Sequence, residues 1–394
     1  MIASAVAWAC VIPPSVALIY FAIEVLLGLR KLPPPLMTAP GDPRVAVVIP
    51  AHNEELLIAL TVSAVREKIA PASRVLVVAD NCSDETAEKA RLAGAEVIER
   101  CDLTRVGKGF ALAHARDHLS SDPPDAVFIL DADCQIVSGR LDALAYEAMT
   151  RGEPVQARNL LTAAQDAPPL VQLSNFAMLM KNVVRARGLY RIAGGITLFG
   201  TGMVFPWRVF ESLPLATSET VEDLHLALVL ARQGIRVHFS EELLVTSPAA
   251  GVDDSLGQRS RWEHGFLANS LKKGIPILGK GLAARSRHAV GLGAHLLVPP
   301  LALLFLIAAC ALVAAVGLAL FSGAVLPVAL LVLSIVSASV ATAVAWYREA
   351  RSTVGLRAMV MAPLYVAWKI PLYVGFLLSR QSQWNRTRRV NERS

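Results

Sequence analysis

Val127-Phe128-Ile129-Leu130-Asp131-Ala132-Asp133-Cys134 decides how this chain is read. Four apolar residues run straight into two carboxylates separated by one small residue. Such a run reads as a buried strand of a parallel sheet. Its carboxylates then stand at the C-terminal end, where open α/β sheets bind ligands. Strand alternation points Asp131 and Asp133 the same way. Two like charges there repel unless a cation sits between them or one takes a proton. A divalent metal with oxygen ligands resolves the conflict, and such metals usually arrive with substrate phosphates. A solvated acidic turn is the simpler alternative, so the rest of the chain has to choose.

Working outward, residues 45 to 248 alternate short β-rich runs with helical patterns. Val45 to Ile49, Val75 to Val78, Glu96 to Ile98 and Val127 to Leu130 read as strands. Glu54 to Lys68, Asp84 to Ala93, Lys108 to Leu119 and Asp223 to Gln233 read as helices. This alternation predicts an α/β domain with a mostly parallel sheet and helices on both faces. Three strand ends carry polar residues: Pro50-Ala51-His52-Asn53-Glu54, Asp80-Asn81-Cys82-Ser83-Asp84 and Asp131-Ala132-Asp133. Parallel strands end on one side, so these should line one crevice. Asp84 also suits the first turn of a helix. His52 has no second metal ligand spaced with it.

The chain is too apolar for a wholly soluble protein: 394 residues, 54% hydrophobic, mean hydropathy +0.48. Residues 1–31 predict a transmembrane anchor. No basic stretch precedes it and no cleavage site follows, so it does not read as a signal peptide. Arg30 and Lys31 place the next domain in the cytoplasm. Glu24 is the one charge inside the anchor; near its cytoplasmic end it should reach the interface and pair with Arg30 or Lys31. Residues 32–44, with Pro33-Pro34-Pro35, read as a stiff linker.

After the α/β domain (45–266), residues 267–288 read as amphipathic interfacial helices. Residues 289–347 hold two expected spans, Leu292 to Leu320 and Val325 to Trp346. Residues 348–394 read as interfacial or re-entrant helices, interrupted by Pro363, Lys369 and Pro371, plus a basic tail. Basic residues flank the apolar stretches, which fits a cytoplasmic membrane surface. Interleaved aromatics and basic helix motifs are lacking, so nucleic acid is not an expected partner. The five cysteines share no ligand spacing and read as free thiols in a reducing compartment. High Ala and Arg with low Lys suggests a GC-rich bacterium, hence the bacterial inner membrane.

Further motifs follow in order: Gly107-Lys108-Gly109, Gly200-Thr201-Gly202, Glu222-Asp223 and Gln258-Arg259-Ser260-Arg261-Trp262. With the strand-end motifs, over about residues 45 to 266, the chain resembles the membrane-bound inverting glycosyltransferases of family 2. That group includes cellulose, chitin, hyaluronan and poly-N-acetylglucosamine synthases and ceramide glucosyltransferases. The resemblance implies a Rossmann-like GT-A domain and a UDP-sugar donor. It implies Mg²⁺ or Mn²⁺ on Asp133, with Asp131 beside the ribose and diphosphate and Ala132 between them. It makes Asp80 the acid that meets uracil, and Ala51, His52, Asn53 and Glu54 part of the nucleotide pocket. Lys108 can reach phosphate as a point charge. Asp223 matches the base that takes the acceptor proton, with Glu222 as a tuning neighbour. Gly200, Thr201 and Gly202 match the acceptor-side loop. Gln258, Arg261 and Trp262 match a motif that closes over the site, Arg261 on the diphosphate and Trp262 against the acceptor sugar. Members that only load a polyprenyl phosphate lack that motif.

The expected activity is transfer of one sugar to a lipid or lipid-linked saccharide, in exopolysaccharide or envelope glycolipid synthesis. The alternative is a processive synthase that secretes its own polymer, with export or assembly partner subunits supplying further membrane helices. A non-enzymatic receptor with a degenerate domain is opposed by the intact acids at Asp80, Asp131, Asp133 and Asp223. A transporter is opposed by the lack of polar residues at membrane depth.

Overall fold

A computed structural model describes residues 2–34, 43–162, 167–219, 221–248 and 252–378, with side chains of α10 from residue 262 onward. In chain order the elements are α1 (Ile2–Gly28), β1 (Val45–Ala51), α2 (Ile58–Arg66), β2 (Arg74–Asp80), α3 (Thr86–Leu92), β3 (Glu96–Arg100), α4 (Lys108–Leu119) and β4 (Ala126–Ile129). Next come β5 (Gln135–Ser138), α5 (Leu141–Arg151), β6 (Val155–Thr162) and α6 (Pro169–Leu179). A π-helical turn, Met180–Arg185, joins α6 to α7 (Ala186–Ala193). Then follow β7 (Met203–Pro206), α8 (Trp207–Ser212), α9 (Glu222–Arg232), β8 (His238–Pro248), α10 (Val252–Ala283) and α11 (Arg287–Leu297). The chain continues through α12 (Leu301–Ser322), α13 (Val325–Ala345), α14 (Leu356–Val360), α15 (Ala362–Trp368) and α16 (Ile370–Leu378).

The sheet runs β3-β2-β1-β4-β7-β6-β8-β5. Its first four strands are all parallel, with Val48 opposite Ile129 and Asp80 opposite Arg100. β7 opposes both β4 and β6, and β5 opposes β8, while β6 and β8 are parallel. The parallel half is therefore the one whose strand ends carry the polar motifs. Val, Ile and Phe fill both sheet faces because each face is covered. One core joins Val48, Leu76 and Ile129 to Leu112, Phe210 and Leu228 of the helices on that side. The other joins Val47, Val77 and Phe128 to Ile58, Val62 and Leu144.

A third core lies outside the sheet. α1 packs with α6, α12, α13 and the C-terminal helices through Leu18, Phe21, Phe176, Leu304 and Leu331. Among the described residues, three helices are long and apolar enough to cross a membrane: α1, α12, and α13 continued through a π turn to Ala350. The first expected later span starts too early. Pro299 and Pro300 break the helix, so Leu292 belongs to α11 and the apolar crossing segment begins at Leu301. The Gln258–Trp262 motif lies in the first half of the 32-residue α10. Residues 356–378 form three short helices, not a simple span.

Glu24 does not reach the interface. It is fully buried, and Arg185 Nε donates to its Oε2 at 2.7 Å while His295 Nδ1 meets its Oε1 at 2.6 Å. Arg30 and Lys31 are not its partners: Arg191 instead caps the α1 end, donating to the carbonyls of Leu27 and Lys31. The reason is packing. A Cβ on Gly188 would lie 1.9 Å from the Glu24 carbonyl oxygen, and one on Gly28 would lie 1.8 Å from that of Val184. Backbone meets backbone there, as small residues allow in membrane helices. Glu24 is thereby carried against Arg185 and cannot turn to solvent. Nearby, Arg187 is 2% exposed and forks onto Glu241 of β8 while also reaching Glu349 past α13. The Glu24→Ala protein is expected to lose about 3–5 kcal/mol, because a buried Arg185 is left uncompensated. Thermal unfolding in detergent, followed by circular dichroism, measures it.

Candidate active site

β4 ends at Ile129, and the chain turns at once: Leu130 N donates to Val48 O at 3.1 Å and Cys134 N to Asp131 O at 3.0 Å. The turn, rather than strand alternation, brings the two acids together. One donor atom each from Asp131, Asp133 and Cys134 lies within 4.8 Å of the others. Ala132 is buried, and its carbonyl accepts from Thr61 Oγ1 at 2.7 Å, which fixes the turn to α2. Burial, helped by Asp133 and Asp131, keeps the Cys134 thiol well above its usual range. A protonated thiol is a poor partner for a hard cation, so the two carboxylates are the donors that fit Mg²⁺ or Mn²⁺.

Lys108 opens α4 directly after Gly107, whose φ of 134° suits glycine. Its Nζ bonds Asp131 Oδ1, donates to Gly200 O at 2.7 Å and lies 3.7 Å from Glu222. Burial works against that charge, but Asp131 and then Glu222 outweigh it and hold the ammonium above its ordinary range. Lys108 thus bridges the acids of β4 to those of α9.

Glu222 and Asp223 form the first turn of α9. The N-cap position is Val221, so Asp223 is no cap; its Oδ1 accepts from its neighbour Leu224 N at 2.7 Å. Its Oδ2 faces Gly200, where a Cβ would lie 3.6 Å away. Burial raises the Asp223 carboxyl, against the opposing charges of Lys181 and Lys108. Burial also raises Glu222 to about 7, with Lys108 opposing and Asp223 adding. A helix N-terminus normally favours carboxylates, so burial wins here.

Gly200 and Gly202 have φ of 87° and 69°. Between them Thr201 Oγ1 accepts from Asp131 N at 3.0 Å, and Gly202 N donates to Ile129 O at 2.9 Å. The loop of residues 200–202 is therefore sewn to the end of β4. Gln156, fully buried, holds the loop from behind. Its Nε2 donates to Thr201 O at 2.9 Å and its Oε1 accepts from Phe199 N at 2.9 Å.

Asp80 sits at the end of β2, two strands from β4 in the sheet, 6% exposed. Arg100 Nη1 donates to its Oδ1 at 2.6 Å, and His52 Nδ1 donates to its carbonyl at 2.7 Å. Asn53 adopts a left-handed φ of 54° and its Oδ1 accepts from Ser83 N at 2.8 Å. Glu54 N donates to Thr86 Oγ1 at 2.7 Å, and that hydroxyl also reaches Asp84. Residues 51–54 and 80–86 are thus laced into one wall, with Ala51 buried at its base.

Arg100, Gln156 and Lys181 escape sequence reasoning. Arg100 becomes visible once the β2–β3 register is known, since it stands opposite Asp80. Gln156 and Lys181 carry no local signal. Gln258 and Arg261 lie on the opening turns of α10, and their side chains fall outside the described ones. Trp262 is half-buried, one turn before Gly265, which meets Val221 at the start of α9.

The chain matches the family described as "Glycosyltransferase like family 2" over residues 43–265. A mannosyltransferase from Pyrobaculum calidifontis, solved with GDP-Man and Mn²⁺, is 20% identical and covers 93% of this chain and 99% of that one at a TM-score of 0.56. The glucosyl-3-phosphoglycerate synthase of Mycobacterium tuberculosis, solved with Mn²⁺, UDP and phosphoglyceric acid, is 19% identical. It covers 57% of this chain and 78% of that one at a TM-score of 0.39, too slight a likeness to argue from. No curated protein sequence matches. The matched segment takes in every strand of the sheet, Asp131 to Asp133, Lys108 and Asp223; this chain, with its GT-A fold, belongs to the glycosyltransferase-like family 2.

Proposed function

We propose that the protein transfers a sugar from a UDP-sugar, with inversion, to a lipid or lipid-linked saccharide acceptor. The cytoplasmic face of a bacterial inner membrane is the proposed place, and exopolysaccharide or envelope glycolipid assembly the proposed setting. The observation that carries this reading is the Lys108 bridge, with a diphosphate-type acid pair at Asp131–Asp133 on one side and buried Asp223 on the other. A divalent cation held by Asp133 would neutralise the diphosphate as it leaves. Asp80 and the wall behind it hold the nucleotide base, and Lys108 adds a cation beside Asp131. Asp223 takes the acceptor hydroxyl proton as the new bond to the anomeric carbon forms and the bond to the phosphate oxygen breaks. Gly200, at a φ of 87°, supplies the left-handed backbone that the loop facing Asp223 needs.

Asp223 has to be ionised to act, and it shares its buried site with Glu222. Both carboxyls are raised, so each holds its proton to higher pH than usual and activity rises as pH increases through their range. The acid limb is expected above the ordinary carboxylate range and belongs to the pair. Glu222→Gln removes a like charge and should move the limb to lower pH, in a pH–rate profile of nucleotide release.

Nucleotide release across a panel of UDP-sugars, with GDP-Man included because of the Pyrobaculum fold neighbour and membrane lipid extract as acceptor, tests the donor. Product length tests the acceptor. Release that depends on no sugar nucleotide would end this reading, and long polymer made by the purified protein alone would replace single transfer with processive synthesis.

A further inference from the structure

The opening of α10 has two working faces. Gly265 presses on Val221, where a Cβ would lie 2.0 Å from Val221 Cγ2. Val221 immediately precedes the two acids of α9. Trp262 is three residues before Gly265 and so shares roughly that face. Glu263 and His264 point elsewhere, under the C-terminal helices α15 and α16, which follow one another through Lys369. Lys369, 2% exposed, bonds Glu263 Oε1 and lies 5.1 Å over the Tyr365 ring. His264 Nε2 donates to Leu372 O at 2.8 Å, and its ring centroid is 5.2 Å from that of Phe376. The outer side of these helices is different in kind: Leu364, Ile370 and Val374 are 56%, 40% and 45% exposed, as suits lipid contact.

One short helical segment, α15 and α16, thus holds a lipid-facing surface and a buried ion pair onto the helix that carries Trp262. An ion pair this buried has a defined geometry and little tolerance for loss of one partner. No other charge in that segment reaches α10 among the described residues.

We propose that Lys369 is a positioning residue for the acceptor: through Glu263 it fixes the α10 turn that bears Trp262 against the start of α9, and so couples acceptor binding to how α15 and α16 sit in the bilayer. This rests on the transfer reading above. The donor wall (Ala51 to Glu54, Asp80, Asp131) is built on the sheet and does not use the pair. Lys369→Met and the neutral double variant Glu263→Gln/Lys369→Met, in the full chain reconstituted in lipid nanodiscs, separate the possibilities. The double variant leaves no buried charge unpaired and keeps the test open if the single variant folds poorly.

The expected result has two parts. Hydrogen exchange quickens in the opening turns of α10 and stays unchanged in β1, β2 and β4. Acceptor KM rises on the order of tenfold to a hundredfold, as for misplacement of a binding group by about an ångström, while donor KM, felt only through Arg261 on the same turn, rises by less. Unchanged exchange in α10 would overturn the proposal. So would an unchanged acceptor KM, or a donor KM that rises in step. Failure of the transfer reading would show in the unaltered protein, whereas failure of this inference shows only in the variants.

Discussion

Asp223→Asn protein is expected to fold, to bind the sugar nucleotide, and to turn over roughly 10²–10⁴-fold more slowly, the usual contribution of a positioned general base. The substitution is nearly isosteric. It keeps an oxygen to accept from Leu224 N and still fits beside Gly200. It removes only the capacity to take a proton. Because the carboxyl is buried, its replacement by a neutral amide lifts a desolvation penalty, so unfolding temperature should hold or rise. Single-turnover product formation and a thermal melt, measured on one preparation, check both halves. Near-normal turnover would move the base elsewhere, and Glu222, one residue away and raised to about 7, is where to look next.

The second large effect concerns Asp133. Asp133→Asn, or removal of divalent cations with a chelator, is expected to cost on the order of 10³-fold in transfer, since cation stabilisation of a departing diphosphate amounts to several kcal/mol. The two treatments should not add. Mn²⁺ or Mg²⁺ returned to chelated wild-type protein should restore activity, whereas the variant should recover little. Isothermal titration of the cation in the presence of UDP gives the binding side directly. Asp131→Asn is a different case, because Asp131 also holds Lys108. It should disturb the bridge to Glu222 as well as the donor site, and its effect on the pH–rate profile distinguishes it from Asp133→Asn. If chelation leaves transfer untouched, the acid pair serves Lys108 alone and the metal proposal falls.

Much of this architecture was legible in the residues. Buried parallel strands announce themselves as apolar runs, and their polar ends fall on one side by topology alone. That placed Asp80, Asp131 and Asp133 in one crevice before any coordinates. Helix and strand type followed from pattern, while boundaries slipped: the helix expected from Glu54 starts at Ile58, because residues 54–57 are spent lacing the wall to Thr86 and Asp84. What the sequence withheld depends on distant partners. Gln156 behind Thr201 and Arg100 beside Asp80 are set by sheet register. The length of α10 was not legible: it crosses the boundary expected at residue 267 and runs on through Gly274, Pro276, Gly279 and Gly281. The structure uses some of them for close packing: a Cβ on Gly281 would come within 2.7 Å of Val290 N, and one on Gly293 of α11 within 2.6 Å of Leu278 N. Glu24 was misplaced for the same reason, its partners lying on α11 and on the turn between α6 and α7.

That last arrangement bears on how the protein is made. Glu24 precedes Arg185 by 161 residues and His295 by 271. The chain emerges N-terminus first, so α1 has to enter the bilayer carrying a carboxylate whose counter-ions have not yet been translated. Throughout that interval the apolar residues of the first helix have to offset the carboxylate, and its ion pair forms only when the α/β domain folds against it. Proteolytic surveillance of the nascent chain would sense damage to the sheet as a failure of the anchor, and a catalytic domain severed from its first 28 residues would bury Arg185 with nothing to answer it.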